Sequence, residues 1–425
     1  MNVGLIVIIL LLVLSFLGIP IYIALGIGTL VALNSAGMPM LVLPQKLFAG
    51  MNSASLLAIP FFVLAGNIMS RSITTKLIDV ANALIGQIKG SLGVVTVLAS
   101  ALFGAISGSG VATASAIGGI TIPAMKKEGY PATFAAAVSS ISSILGPIIP
   151  PSITLIVYAS ITNVSVSKLF IGSVIPGIIL AASLAVYCLF FGRKHNLPAH
   201  EKMSGSQIVG VFKSSIWALL MPVIILGGIF GGVFTPTEAA AVAVAYALFI
   251  SLFVYKDLTW KELPGMFVDG AVATATIMVM VGLSKASSYV VVTSGLPQQL
   301  LNAFTTITSS KIVILLLLNL LFLVIGMLME ANAAIIMMTP ILTPLLSAFG
   351  IDTLQFGIVM SFNLCIGLIT PPVGLCLLID NQIAGTSLAK TLKAMMPMLI
   401  IALVALMLIT YISPLTTWLP SLIQG

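Results

Sequence analysis

An all-α, polytopic membrane protein is the fold this sequence predicts: two inverted repeats, each carrying a re-entrant helical hairpin and a broken helix. Three observations predict it. The first is composition. Of 425 residues, 60% are hydrophobic and 6% charged, with a mean hydropathy of +1.24. So little polar surface cannot coat a water-soluble fold of this size, and the apolar runs are continuous rather than alternating, which excludes a β-barrel. The second is an internal register of 221 residues, in which Gly146-Pro147-Ile148-Ile149-Pro150-Pro151 returns as Gly367-Leu368-Ile369-Thr370-Pro371-Pro372. In the same register Pro123, Gly129, Val138, Ser140 and Pro176 fall on Pro344, Gly350, Val359, Ser361 and Pro397. The third is that both copies set their Gly/Pro break inside a hydrophobic helix, where repeat-built membrane proteins hold ions and solutes at mid-depth.

Apolar segments run over 3–33, 50–70, 93–127, 131–162, 169–192, 216–234, 236–254, 268–294, 313–348, 351–383 and 394–413. Amphipathic, charge-bearing stretches lie between them at 72–90, 193–213 and 256–266. The first run is either one long tilted helix or two short ones broken at Gly18-Ile19-Pro20. The parallel with 216–254, split at Phe234-Thr235-Pro236-Thr237-Glu238, favours two. In that second split, Pro and an early acid read as a helix start with Glu238 as a cap. A crossing needs about 20 residues. The runs 93–127 and 313–348 are too long for one crossing, and each has a polar turn at its middle, Ser107-Gly108-Ser109-Gly110 and Met329-Glu330-Ala331-Asn332. They read as hairpins that enter and leave on one side, which is tolerated only where the backbone is buried in protein or lines a cavity.

The chain therefore divides into 1–213 and 214–425. The first repeat holds scaffold helices within 3–70, a hairpin at 93–127 and a broken helix at 131–162. The second holds scaffold helices within 216–294, a hairpin at 313–348 and a broken helix at 351–383. Five crossings plus a hairpin make an odd count, which inverts the second copy. Most basic residues, Arg71, Lys89, Lys126, Arg193, Lys202 and Lys261 among them, fall on one face; Lys46, Lys168 and Lys311 fall on the other. By the positive-inside rule the first hairpin opens from the cytoplasm and the second from the opposite side. The net charge of +7 needs no nucleic acid to explain it.

Two tips and two breaks form the candidate site. Each Pro-Pro pair removes two backbone donors and frees carbonyls one turn back. Freed carbonyls with Ser, Thr and Asn side chains are hard ligands for Na⁺, while half-helix N-termini offer N–H groups to an anion. For Na⁺ the candidates are Ser107, Ser109, Gly110, Gly146 and Pro147 in one half and Asn332, Gly367 and Thr370 in the other. For an anionic substrate they are Ser107, Gly108, Ser109, Ser152, Glu330, Asn332 and Gly374. One Gly-Ser cluster is ordinary helix-contact chemistry; four clusters matched by one offset are not. Glu330 either faces a cavity or caps the outgoing half-helix. Asp380 marks where its helix reaches water, and Lys285 snorkels or pairs with a carboxylate.

Other classes fit less well. Both histidines, His195 and His200, share a polar loop, and there is no HExxH, GxSG or GxxxxGK[ST], so proteolysis and ATP hydrolysis have no machinery. Cys188, Cys365 and Cys376 read as small hydrophobes rather than a disulfide or metal framework. The apolar N-terminus lacks a basic n-region and reads as a membrane segment. A channel remains a further alternative, against which inverted repeats argue.

At these residues the chain resembles the large membrane subunit of tripartite ATP-independent periplasmic (TRAP) transporters over essentially its whole length. The resemblance rests on the stretches 58–66, 107–110, 122–130, 146–152, 234–239 and 367–374; Thr113-Ala114 stands where many members carry Ala-Asp. It implies an elevator-type secondary transporter that imports an organic acid anion, a C4-dicarboxylate or sialic acid, with Na⁺ across a bacterial inner membrane. It also implies two partners, a small four-helix membrane subunit and a periplasmic substrate-binding protein. A stand-alone Na⁺-coupled carboxylate transporter of the same superfamily is the nearest alternative. Neither arginine, Arg71 or Arg193, stands at a tip or break, so backbone N–H groups and hydroxyls are left to handle the anion.

Overall fold

The computed structural model describes residues 2–198 and 203–423, so His200 and Lys202 lie outside the described residues. Among the described residues nine helices are long and apolar enough to cross a membrane, and five shorter apolar helices accompany them. The run 3–33 is two helices. Val3–Phe16 is capped by Asn2, and Gly18 turns the chain at φ +84° before Pro20 leads into Ile21–Ser35. Its counterpart is similar: Gly205–Phe230, a turn at Gly232, then Pro236–Phe249. Thr235 and Glu238 cap this last helix reciprocally, Glu238 N donating to Thr235 Oγ1 at 3.3 Å and Thr235 N to Glu238 Oε2 at 2.8 Å.

The 221-residue register carries through the elements. Added to Gly110 and Lys127, it gives the bounds of Ala331–Ala348. Added to Val42 and Ser72, it gives the bounds of Leu263–Thr293. Here the copies differ: the first is interrupted between Val42–Met51 and Ala58–Ser72, the second is one helix. At the interruption the first copy has Asn52 where the second has Ala273, the stronger helix former. Thr74–Ile85 falls inside the expected amphipathic stretch 72–90. Its register mate Leu296–Ile307, the helix Val42–Met51 and the terminal Pro414–Ile423 were not anticipated from hydropathy, being short and mixed in polarity.

Both long runs form helix-turn-helix units. Ser91–Ser107 ends at Gly108 with φ +61°; Ser109 caps a helix through 110–127 that is π-helical at Ala114–Gly118. Lys311–Leu328 ends at extended Met329, and Glu330 caps Ala331–Ala348. The broken helices follow. Leu145–Ile148 stops before the cis Pro150–Pro151 bond, and Ile153–Thr162 resumes. Thr353–Gly367 stops before the cis Pro371–Pro372 bond, and Leu375–Ala384 resumes. The apolar cores do not respect the division into halves. One cluster joins Phe134, Val138 and Ile144 to Phe362, Cys365 and Leu377.

Candidate functional site

The two tips and two breaks meet. A cavity of about 720 Å³ is lined by Ser107–Ala112 and Ser115 from the first tip and by Glu330, Ala331 and Asn332 from the second. Pro147 and Leu368 join it from the breaks, and Tyr22, Asn67, Thr276 and Met280 close it from other helices. Two helix N-termini, those of 110–127 and Ala331–Ala348, thus begin at its wall, where their N–H groups and dipoles favour an anion. Among the described residues, no Lys, Arg or His lines it, and Glu330 is the one carboxylate.

At the first tip, Thr113 Oγ1 donates to Ser109 O at 2.7 Å and lies 3.5 Å from Ser107 Oγ. Gly146 lets the break lie directly against these oxygens. A methyl group there would sit 2.6 Å from Ser109 O and 2.7 Å from Thr113 Oγ1. The helical donors to Gly146 O and Pro147 O would be residues 150 and 151, both proline, so those carbonyls are released. Ser152 takes up one of them: its Oγ donates to Pro147 O at 2.5 Å and pairs with Thr154 Oγ1 at 2.7 Å. Ser152 is fully buried, caps Ile153–Thr162 and does not line the cavity.

The second tip answers the alternatives left open for Glu330, which does both. Its Oε2 accepts from Ala333 N at 3.1 Å, its Oε1 accepts from Asn332 Nδ2 at 2.7 Å, and it faces the cavity. Gly367 packs on the Gly326 carbonyl, and Thr370 donates to Ile366 O at 2.7 Å. Gly367, Thr370 and Gly374 lie on the second break without lining the cavity.

Asp380 corrects the expectation made for it. It does not mark an exit to water; it is fully buried, its oxygens accepting from Ser139 Oγ and Ser140 Oγ at 2.9 Å each. A hydropathy scan places a lone acid at a helix end, but its partners here lie 240 residues away in the other copy. Lys285 is exposed, and Arg71 pairs with Glu262 at 3.0 Å. Reading the sequence also missed Thr113 and a buried amide ladder. Asn363 Nδ2 donates to Asn319 Oδ1 at 2.8 Å, and Asn319 Nδ2 to Thr410 Oγ1 at 3.0 Å. Asn within apolar runs was the available signal. The three cysteines are buried and unpaired.

Known proteins resemble the chain closely. The family model described as "Tripartite ATP-independent periplasmic transporter, DctM component" matches residues 8–415. The C4-dicarboxylate TRAP transporter large permease protein DctM of Pseudomonas aeruginosa is 41% identical, over 88% of this chain and 88% of its own length. The sialic acid TRAP transporter large permease protein SiaM of Vibrio cholerae is 36% identical over 97% of each chain. Among solved structures, that of the Alcanivorax borkumensis YdaH transporter shares the fold, with a TM-score of 0.59 at 14% identity over 87% of this chain and 89% of that one.

Proposed function

The chain belongs to the DctM-component family of tripartite ATP-independent periplasmic transporters, is a multi-pass membrane transporter subunit and not an enzyme, and from that premise we propose how it works. It imports an organic acid anion together with Na⁺ across a bacterial inner membrane. A periplasmic binding protein delivers the acid, and a small four-helix subunit steadies the scaffold. The single observation that carries this reading is the convergence of both tips and both breaks on one cavity.

Each tip faces a break, and each such unit is a cation seat. In the first, Ser107, Ser109, Gly110, Gly146 and Pro147 supply hydroxyl and carbonyl oxygens, and Thr113 joins them on the geometry above. In the second, Asn332, Gly367 and Thr370 do so. Hard oxygen ligands without a carboxylate cluster suit a monovalent ion better than a transition metal. The acid lies between the tips against the helix N-termini at Ser107–Ser109 and Glu330–Asn332. Cation binding draws tip to break and completes the anion seat, which couples the two cargoes. The hairpins and broken helices then move together against the scaffold, as an elevator.

The test is uptake into proteoliposomes by the three-component system. Uptake should saturate with substrate and require an inward Na⁺ gradient. Unsaturable flux without a gradient would refute coupling and favour a channel. Saturable, Na⁺-driven uptake by this chain alone, without either partner, would favour the stand-alone transporter.

A further inference from the structure

We propose that Asp380 is a proton-binding site whose proton competes with the cation at the first tip and break. The inference rests on the transport reading above and adds a proton to its ion chemistry. The Asp380 carboxyl is fully buried, and its oxygens accept from Ser139 Oγ and Ser140 Oγ at 2.9 Å each. Among the described residues no Lys, Arg or His partners it. A buried carboxylate held by neutral donors alone is costly, and taking up a cation or a proton relieves that cost. Two details favour the proton. Gly118 packs so closely that a methyl there would collide with Asp380 Oδ1 and with Ser139 Oγ. A metal ion must be wrapped in several oxygens, whereas a proton needs no room. A hydroxyl also donates or accepts, so the serine pair satisfies the carboxylate and, by turning one O–H, the carboxylic acid as well.

The elements packed around Asp380 hold their charges elsewhere. Ala132–Ser143 and the π-helical turn Ala114–Gly118 carry none. Lys126 and Lys127 end the 110–127 helix, where Lys126 Nζ donates to Ala384 O at 2.8 Å, and Glu128 follows them. Lys390 and Lys393 on Leu388–Tyr411 are exposed, and the Cys376 thiol lies one turn before Asp380 on its own helix. The protein surface is about one turn beyond, at exposed Gln382 and Gly385. Asp380 also touches both elements that build the first cation seat. The π-helical turn holds Ser115, which lines the cavity, and Gly118, which lies against the carboxyl. Ala132–Ser143 carries Ser139 and Ser140 and leads on to Gly146, about 9 Å of helical rise past Ser140. Across such a span of protein one charge alters the hold on a monovalent cation on the order of tenfold. An ionised Asp380 therefore favours Na⁺ at Gly146 and Pro147, and a protonated one loosens it. By reciprocity, Na⁺ entering the seat expels the proton.

The experiment titrates the full chain in lipid nanodiscs with Na⁺, from mildly acidic to mildly basic pH, reading thermal stabilisation at constant ionic strength. The Na⁺ midpoint should rise about tenfold as pH falls. Asp380→Asn, isosteric with the protonated acid, should hold the raised midpoint at every pH. Infrared difference spectra over the same range should show a carboxylic acid C=O band in the wild type that this variant lacks; identical spectra overturn the site. A pH dependence that survives in Asp380→Asn belongs to another group, Glu330 first, and overturns the assignment. If that variant does not fold, Ser140→Ala decides. It removes one donor to the carboxylate and should displace the pH at which the Na⁺ midpoint changes; an unmoved pH refutes the site. A wild-type Na⁺ midpoint that ignores pH overturns the proton and leaves the transport reading standing. If Na⁺ stabilises the protein at no pH, the cation reading falls with it.

Discussion

Replacing Gly146 by alanine tests whether tip and break act as one cation seat. Ordinary carbon contacts begin near 3.4 Å, and the new methyl would lie 2.6 Å from Ser109 O and 2.7 Å from Thr113 Oγ1. Ser109 O is backbone and Thr113 Oγ1 is held on it by a 2.7 Å bond, so neither swings away alone. The tip must retreat as a unit by roughly 0.8 Å, beyond the about 0.5 Å within which a binding constellation keeps its geometry. Overpacking of this kind costs about 1–3 kcal/mol of stability. A displacement near 1 Å weakens a positioned site by up to about a hundredfold. We expect the Na⁺ concentration at half-maximal stabilisation to rise ten- to a hundredfold, about 1.4–2.7 kcal/mol. The assay is a thermal-shift titration with Na⁺ at constant ionic strength, repeated for uptake. Gly119→Ala is the control, since a methyl there meets nothing within 4 Å. It should stay within about 0.5 kcal/mol of wild type. A Gly146→Ala protein that folds and keeps the wild-type Na⁺ midpoint refutes the assignment of this break to a cation.

Further expectations follow from the same geometry. Ser109→Ala and Thr370→Ala should each weaken Na⁺ dependence while leaving the protein folded; unchanged dependence in both removes those ligands. Asp380→Ala should destabilise by about 2–4 kcal/mol, since it opens a void and strands two buried hydroxyls. A cycle with Ser139→Ala and Ser140→Ala, read by denaturation in detergent, should give about 1–2 kcal/mol of coupling, and additivity would deny the contact. Thr235→Ala should cost about 1 kcal/mol through loss of the cap, and Glu238→Ala in that background should add little. Outside the membrane, the Thr259 hydroxyl and amide, and then Arg71, hold the Glu262 carboxyl below its ordinary range. A depressed value stabilises the folded state above the unfolded value and is lost as pH falls through the folded one. The contribution of Glu262 should therefore be constant at neutral pH and vanish only in acid; a Glu262→Gln difference that changes between pH 6 and 8 would contradict this.

What the sequence made legible was whatever depends on local chemistry repeated. Paired prolines inside an apolar run cannot continue a helix, so both breaks stood out at Gly146–Pro151 and Gly367–Pro372. The cap at Thr235 to Glu238 involves neighbours and was readable for the same reason. Partners distant along the chain were not. Nothing around Asp380 announces Ser139 and Ser140, and Asn319 gives no hint of Asn363. Local cues also mislead about depth. Ser152 is a polar residue beside a break, yet its hydroxyl is spent on Pro147 O. Thr113 looked like a mere departure from a motif, and folding brings its hydroxyl onto Ser109 O.

The seat of Asp380 has a consequence for how the two copies can have drifted apart. Subtracting the offset from 380 gives Ala159, and adding it to 139 and 140 gives Met360 and Ser361. One copy thus supplies both serines, the other supplies the acid, and the mirror arrangement would lack a serine on one side and the acid on the other. The contact has no counterpart at the offset positions. An exchange of corresponding segments between the copies, harmless to a perfectly symmetric protein, would leave a carboxylate facing methionine here. The two halves are not interchangeable at this point, and positions 139, 140 and 380 should be kept or lost as a set.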